Sequence, residues 1–198
     1  MIRDFHLADF FTLANAACGM AAVFCAMVYT ASRSMGHFLA AFGLILAALL
    51  CDVLDGRVAR WRQAQSPLGR ELDSLADVIS FGVAPAALGF AAGMSGALDW
   101  IALVYFVCCG VSRLARYNIT AEQLSGAEGK VRYFEGTPIP TSVVLAAVLA
   151  FAALEDRVGP QLYGGAWQLG AWTLHPLALL FVASGTLMIS KTLRIPKL

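Results

Sequence analysis

CDVLDGRVARWRQAQSPLGRELDSLADVISF, running from Cys51 to Phe81, decides how this chain is read. It begins and ends in apolar sequence and holds four aspartates between: Asp52, Asp55, Asp73 and Asp77. Ionisable side chains at membrane depth are costly and by default signal function. Their spacing has a geometric meaning. At about 100° per residue, Asp52 and Asp55 lie roughly 60° apart on one helix face, and Asp73 and Asp77 roughly 40° apart on the next. The short turn AQSPL (64–68), with Ser66 and Pro67 as an entry signal, makes the two helices antiparallel neighbours. Both pairs then share a depth, and four carboxylates are expected to converge.

Carboxylates so placed in a low dielectric need protons or cations. The ligands are all oxygen, which favours hard ions such as Mg²⁺, Mn²⁺ or Ca²⁺ over zinc, and two ions suit four carboxylates. Gly56 directly follows Asp55, and Ala59 comes one turn later, so this helix face has little side-chain bulk. Gly69, one turn before Asp73, does the same on the next helix, leaving a slot with metal at its floor. A flat base and a phosphate chain fit such a slot. The rival account is a structural ion network joining the aspartates to Arg57, Arg60, Arg62 and Arg70. That network has no need of small residues at matched positions on both helices.

Around this stretch the chain is 59% hydrophobic and 14% charged over 198 residues, where soluble domains carry about a quarter charged residues. Its apolar blocks, near 7–31, 38–60, 69–94, 97–117, 139–156 and 172–191, are long enough to cross a membrane, which takes roughly 20 residues of helix each. The expected fold is therefore all-α: a single membrane domain over 1–198, with six spans forming a polytopic bundle. With the N-terminus inside, twelve of the fourteen Lys and Arg fall on the cytoplasmic side and only Arg33 and Arg157 outside. Both termini and the aspartates are then cytoplasmic, in an integral membrane protein expected in a bacterial inner membrane. MIRDFHLADF (1–10) suits a short interfacial helix leading into the first span. Residues 118–137 read as a mobile cytoplasmic loop, either a lid or a plain connector, and 157–171 as a glycine-rich outer loop. Spans four to six show no acidic residue at membrane depth, which argues against an ion or proton transporter, whose site lies near the midplane. The five cysteines read as packing residues and the three histidines as interfacial. No nucleic-acid partner is expected.

The pattern D-x-x-D-G-x-x-A-R-x8-G-x-x-x-D-x-x-x-D, met by Asp52, Asp55, Gly56, Ala59, Arg60, Gly69, Asp73 and Asp77, resembles that of the CDP-alcohol phosphatidyltransferases. The resemblance implies that Asp52, Asp55 and Asp73 hold two divalent cations, Mg²⁺ or Mn²⁺, gripping the diphosphate of a CDP-linked lipid. Asp77, beside the ions, is implied as the general base that takes the proton of the acceptor hydroxyl, with CMP leaving. Gly56, Ala59 and Gly69 become the nucleotide slot, with Arg60 near the diphosphate. Thr12 and Asn15 in the first span look like the family's polar cluster near the nucleotide, and a hydrogen bond between helices explains them equally well. DSLADVISFGVAPA (73–86), SRLARYN (112–118) and FEGTPIPTS (134–142) resemble the membrane-embedded phosphatidylserine synthases within the family. CDP-diacylglycerol and L-serine are then the substrates, and a homodimer is implied. Glycerol 3-phosphate, inositol phosphate, inositol and choline are the alternative acceptors. Arg113 and Arg116, one turn apart, suit a carboxylate, a lipid phosphate or the basic membrane boundary. Ser80, Phe81 and Thr137 are further candidates for the acceptor pocket.

Overall fold

The computed structural model describes residues 7–62, 67–125, 133–192 and 194–196. The chain is mostly helical with little strand. Helix α1 (Leu7–Ser32) turns sharply into α2 (Met35–Arg62). Arg33 makes the turn at φ 54°, its N–H donating to the Tyr29 carbonyl at 2.8 Å. Tyr29 and Phe38 pack edge to face across it at 4.9 Å. Between α1 and α2 the core is built from small residues, Ala22, Ala26, Ala41 and Ala48, each at most 1% exposed. Such residues allow the backbones to approach where lipid supplies no hydrophobic drive for helix association.

Helix α3 (Pro67–Asp77) starts on a proline, whose missing N–H is harmless in a first turn. It runs into a π-helical segment, Val78–Val83, and on through α4 (Ala84–Ala92) as one apolar rod. The Ala84 N–H reaches the Ile79 carbonyl, the i to i−5 bond of a wide turn. Helix α5 (Ala97–Ser125) returns, followed by β1 (Tyr133–Glu135), a 3₁₀ turn (Ile139–Ser142) and α6 (Val143–Leu154). A hairpin of β2 (Trp167–Leu169) and β3 (Trp172–Leu174) precedes α7 (Ala178–Ile189) and β4 (Arg194–Pro196). Strand β4 pairs antiparallel with β1, Phe134 opposite Ile195.

Four helical stretches are long and apolar enough to cross a membrane: Ala8–Ser32, Met35–Val58, Leu68–Ala92 and Ala97–Ile119. Phe10, Leu50, Trp100, Val104, Val144 and Leu154 are each more than half exposed, as a lipid-facing surface requires. Two of the six anticipated spans are shorter apolar helices, Ile139–Leu154 and Ala178–Ile189. The sixth block loses its opening residues to β3, so α7 rises only about 18 Å. In the stretch 118–137 the anticipated loop is in part regular structure. Helix α5 continues to Ser125 and Tyr133–Glu135 is a strand, while 126–132 lie outside the described residues. The anticipated interfacial helix falls largely on residues 1–6, also outside them.

A second correction concerns acidic residues. Asp99, in the first turn of α5, is fully buried at the end of the bundle opposite the aspartate stretch. Its carboxylate accepts the Gly96 N–H at 3.0 Å and the His175 N–H at 2.7 Å, and lies 2.7 Å from His175 Nδ1. His175 is thus buried with a partner. This clasp fastens the start of α5 to the end of the hairpin, a structural use of a buried polar pair.

Candidate active site

The site forms where the second half of α2 passes α3, with α1 behind both. Asp52, Asp55 and Asp73 each direct a carboxylate oxygen into one group, all within 4.8 Å of one another. Asp55 is 6% exposed and the other two are half-buried. At that separation each ionised pair would repel by about 3 kcal/mol at an effective dielectric near 20. Neither Arg57, which is exposed, nor Arg70, which is half-buried, is ion-paired with them, and the side chains of Arg60 and Arg62 lie outside the described residues. Asp73 Oδ1 is buried with no hydrogen-bond partner. Oxygen-only donors in one group, one of them orphaned, fit a hard divalent cation.

Asp77, one turn beyond Asp73, adjoins the group but is not within it. It is 6% exposed, and its Oδ1 accepts a hydrogen bond from Asn15 Nδ2 at 3.2 Å. Thr12, one turn earlier on α1, donates from Oγ1 to Asp55 Oδ2 at 2.9 Å. The three-residue spacing puts both polar groups on one face of α1. That face can approach because Gly19 lies against the π segment: a Cβ there would stand 2.6 Å from Ser80 Cα. The anticipated convergence of four carboxylates is therefore three together and a fourth beside them, backed by Thr12 and Asn15.

The open face at Gly56 is present, since a Cβ there would meet nothing within 4 Å. Gly69 sits half-buried on α3, and Ala59 and Arg60 lie on α2 with their side chains outside the described residues. Arg113 is 8% exposed, has Nε without a partner, and lies in the electrostatic range of Asp77. Arg116, half-buried, donates from Nη2 to the Ile189 carbonyl at the end of α7, 3.2 Å away. Ser80 donates its hydroxyl to the Ala76 carbonyl at 2.9 Å, and Phe81 is wholly in the core. Both are buried one turn beyond Asp77. Thr137 has a buried Oγ1 without a partner, and its N–H bonds to the Leu187 carbonyl at 3.2 Å.

Three features escaped the reading of the sequence. The π segment begins directly after Asp77, and Ser142 Oγ donates to its Phe81 carbonyl at 2.6 Å. Asn118 ties α5 to α3, its Nδ2 3.2 Å from the Glu71 carboxylate oxygens and its Oδ1 accepting from Ser74 at 3.2 Å. The motif SRLARYN was the only sign of Asn118, and nothing in a single sequence marks the extra residue of a wide turn.

The family described as CDP-alcohol phosphatidyltransferase matches residues 5–187. The chain belongs to this family. It is 40% identical over 200 residues to the CDP-diacylglycerol–serine O-phosphatidyltransferase of Saccharomyces cerevisiae, covering all of this chain and 72% of that protein. Proteins of the same description from Mycobacterium leprae and Methanocaldococcus jannaschii are 38% and 35% identical, over 71% and 70% of this chain. The chain spans about half the length of these two relatives, 47% and 57%. Family membership agrees with the acidic group, since every position of the motif falls on α2 or α3 beside it.

Proposed function

We propose that this chain transfers the phosphatidyl group of CDP-diacylglycerol to the hydroxyl of L-serine, giving phosphatidylserine and CMP. The observation that carries the reading is the Asp52–Asp55–Asp73 group with Asp77 held beside it by Asn15. The three clustered aspartates, with Asp77 at their edge, would hold two Mg²⁺ or Mn²⁺ ions. Such ions, when bound, neutralise the diphosphate and stabilise charge on the attacking and leaving oxygens.

The remaining chemistry belongs to the side chains. Asp77 takes the proton of the acceptor hydroxyl; the freed oxygen forms a bond to the lipid-side phosphorus as the bond to the CMP oxygen breaks. The open face at Gly56, with Ala59 and Gly69, receives the nucleotide, and Arg60 lies toward the diphosphate. Arg113, buried and with Nε free, answers the carboxylate of serine, with Thr137 at the pocket mouth. Arg116 positions the end of α7. Serine is favoured over the other acceptors because the relatives from a yeast, a mycobacterium and an archaeon all carry that description.

The reading extends to one membrane domain of six spans, the two short helices included, with both termini and the site cytoplasmic in a bacterial inner membrane. The basic residues on the aspartate side support that orientation. A homodimer completes it.

The test is CMP release by the detergent-purified protein given CDP-diacylglycerol, Mn²⁺ or Mg²⁺ and one acceptor at a time: serine, glycerol 3-phosphate, inositol, inositol phosphate or choline. Release with serine alone, abolished by chelator and by Asp77→Asn, is the expected result. Release with another acceptor transfers the mechanism to that alcohol, and no release with any overturns the assignment.

A further inference from the structure

Asn15 is fully buried, yet only half of its amide is used. Nδ2 donates to Asp77, whereas Oδ1 has no hydrogen-bond partner. With Asp77 ionised, as a general base must be, the reverse amide orientation would set two acceptor oxygens against each other. A buried carbonyl oxygen left unpaired is unfavourable, and native proteins keep few of them. Here it stands on the residue that holds the implied general base, with Thr12 engaged at Asp55 one turn away. A donor to Oδ1 would stand close to Asp77, since the other end of the same amide is 3.2 Å from its carboxylate.

An amino acid bearing a hydroxyl meets that demand. Its oxygen and its ammonium nitrogen sit on adjacent carbons, a hydrogen-bond length apart, so a hydroxyl on Asp77 brings the ammonium to the neighbouring acceptor. We propose that Asn15 has two functions: its NH₂ orients Asp77, and its Oδ1 receives the ammonium of the acceptor substrate. The inference rests on serine being the acceptor. With the carboxylate on Arg113 it makes a three-point site, in which an alcohol without the amine leaves Asn15 Oδ1 unpaired and is rejected.

The measurement is kcat/KM for serine against 3-hydroxypropionate, which keeps the hydroxyl and carboxylate and lacks the amine. The unaltered protein is expected to prefer serine on the order of 100-fold, as the loss of a charge-assisted hydrogen bond implies. In Asn15→Leu the preference falls to about 10-fold or less. Asn15→Asp keeps an oxygen acceptor and retains the preference while turning over both acceptors more slowly. If Asn15→Leu slows both acceptors equally and keeps the preference, Asn15 serves Asp77 alone and the ammonium assignment is wrong. Should Asn15→Leu not fold, Asn15→Ala is read by the same ratio. If the unaltered protein uses no serine at all, the proposed function fails instead, a result separable from the ratio.

Discussion

Gly19→Ala adds one methyl group at the place where α1 meets the π segment. In an ordinary helix interior this change stabilises, because alanine is favoured over glycine by about 1 kcal/mol. Here the new Cβ would lie 2.6 Å from Ser80 Cα, 2.8 Å from Ser80 Cβ and 2.9 Å from Ser80 N. Two of the three atoms are backbone, so no rotamer relieves the overlap. Ordinary contact begins near 3.4 Å, so α1 must withdraw by about 0.8 Å or more. Overpacking of this kind costs typically 1–3 kcal/mol and outweighs the propensity gain. The withdrawal also acts on Asn15, one turn away on α1, whose 3.2 Å bond to Asp77 has little slack before it exceeds hydrogen-bond length. A misplacement near 1 Å costs up to about 100-fold in turnover. The expected result is a lower melting temperature together with a kcat for CMP release reduced by one to two orders of magnitude. A Gly19→Ala protein that melts higher and keeps full activity would refute the close approach and the coupling drawn from it.

Asp73→Asn removes one charge from the clustered carboxylates. In chelator its melting temperature should rise, by roughly 2–4 °C per kcal/mol of relieved repulsion, while the added stability from Mn²⁺ shrinks; thermal melts with and without metal measure both. Ser142→Ala leaves the Phe81 carbonyl buried without its donor. It should cost about 1–3 kcal/mol, seen as a melting temperature several degrees lower.

The acidic group was legible because its information is local: two pairs at helical spacing, small residues beside them, and a turn too short for anything but antiparallel packing. Thr12 and Asn15 were visible as polar residues in an apolar span, but their partners lie 43 and 62 residues away, and no spacing encodes that. Asp99 was overlooked because it sits at the very start of an apolar block, and the backbone and histidine that hold it follow from the hairpin, not from its neighbours in sequence. The short helices show a related limit. Hydropathy scores Trp172 and Leu174 as apolar whether they continue a helix or enter a strand, and glycines at positive φ, such as Gly170 at 68°, choose the turn.

The wide turn at Val78–Val83 sets the phase between two parts of one rod. Ahead of it α3 turns Asp73 and Asp77 toward α1 and α2; behind it α4 turns Leu88 and Ala92 into the bundle. Were the same residues wound at regular α pitch instead, one part would rotate against the other by about 100°. The core could then keep its register only by swinging the carboxylates away from α1, or the carboxylates theirs only by turning the apolar face of α4 outward. One residue of added length thus lets a single helix answer to two different neighbours.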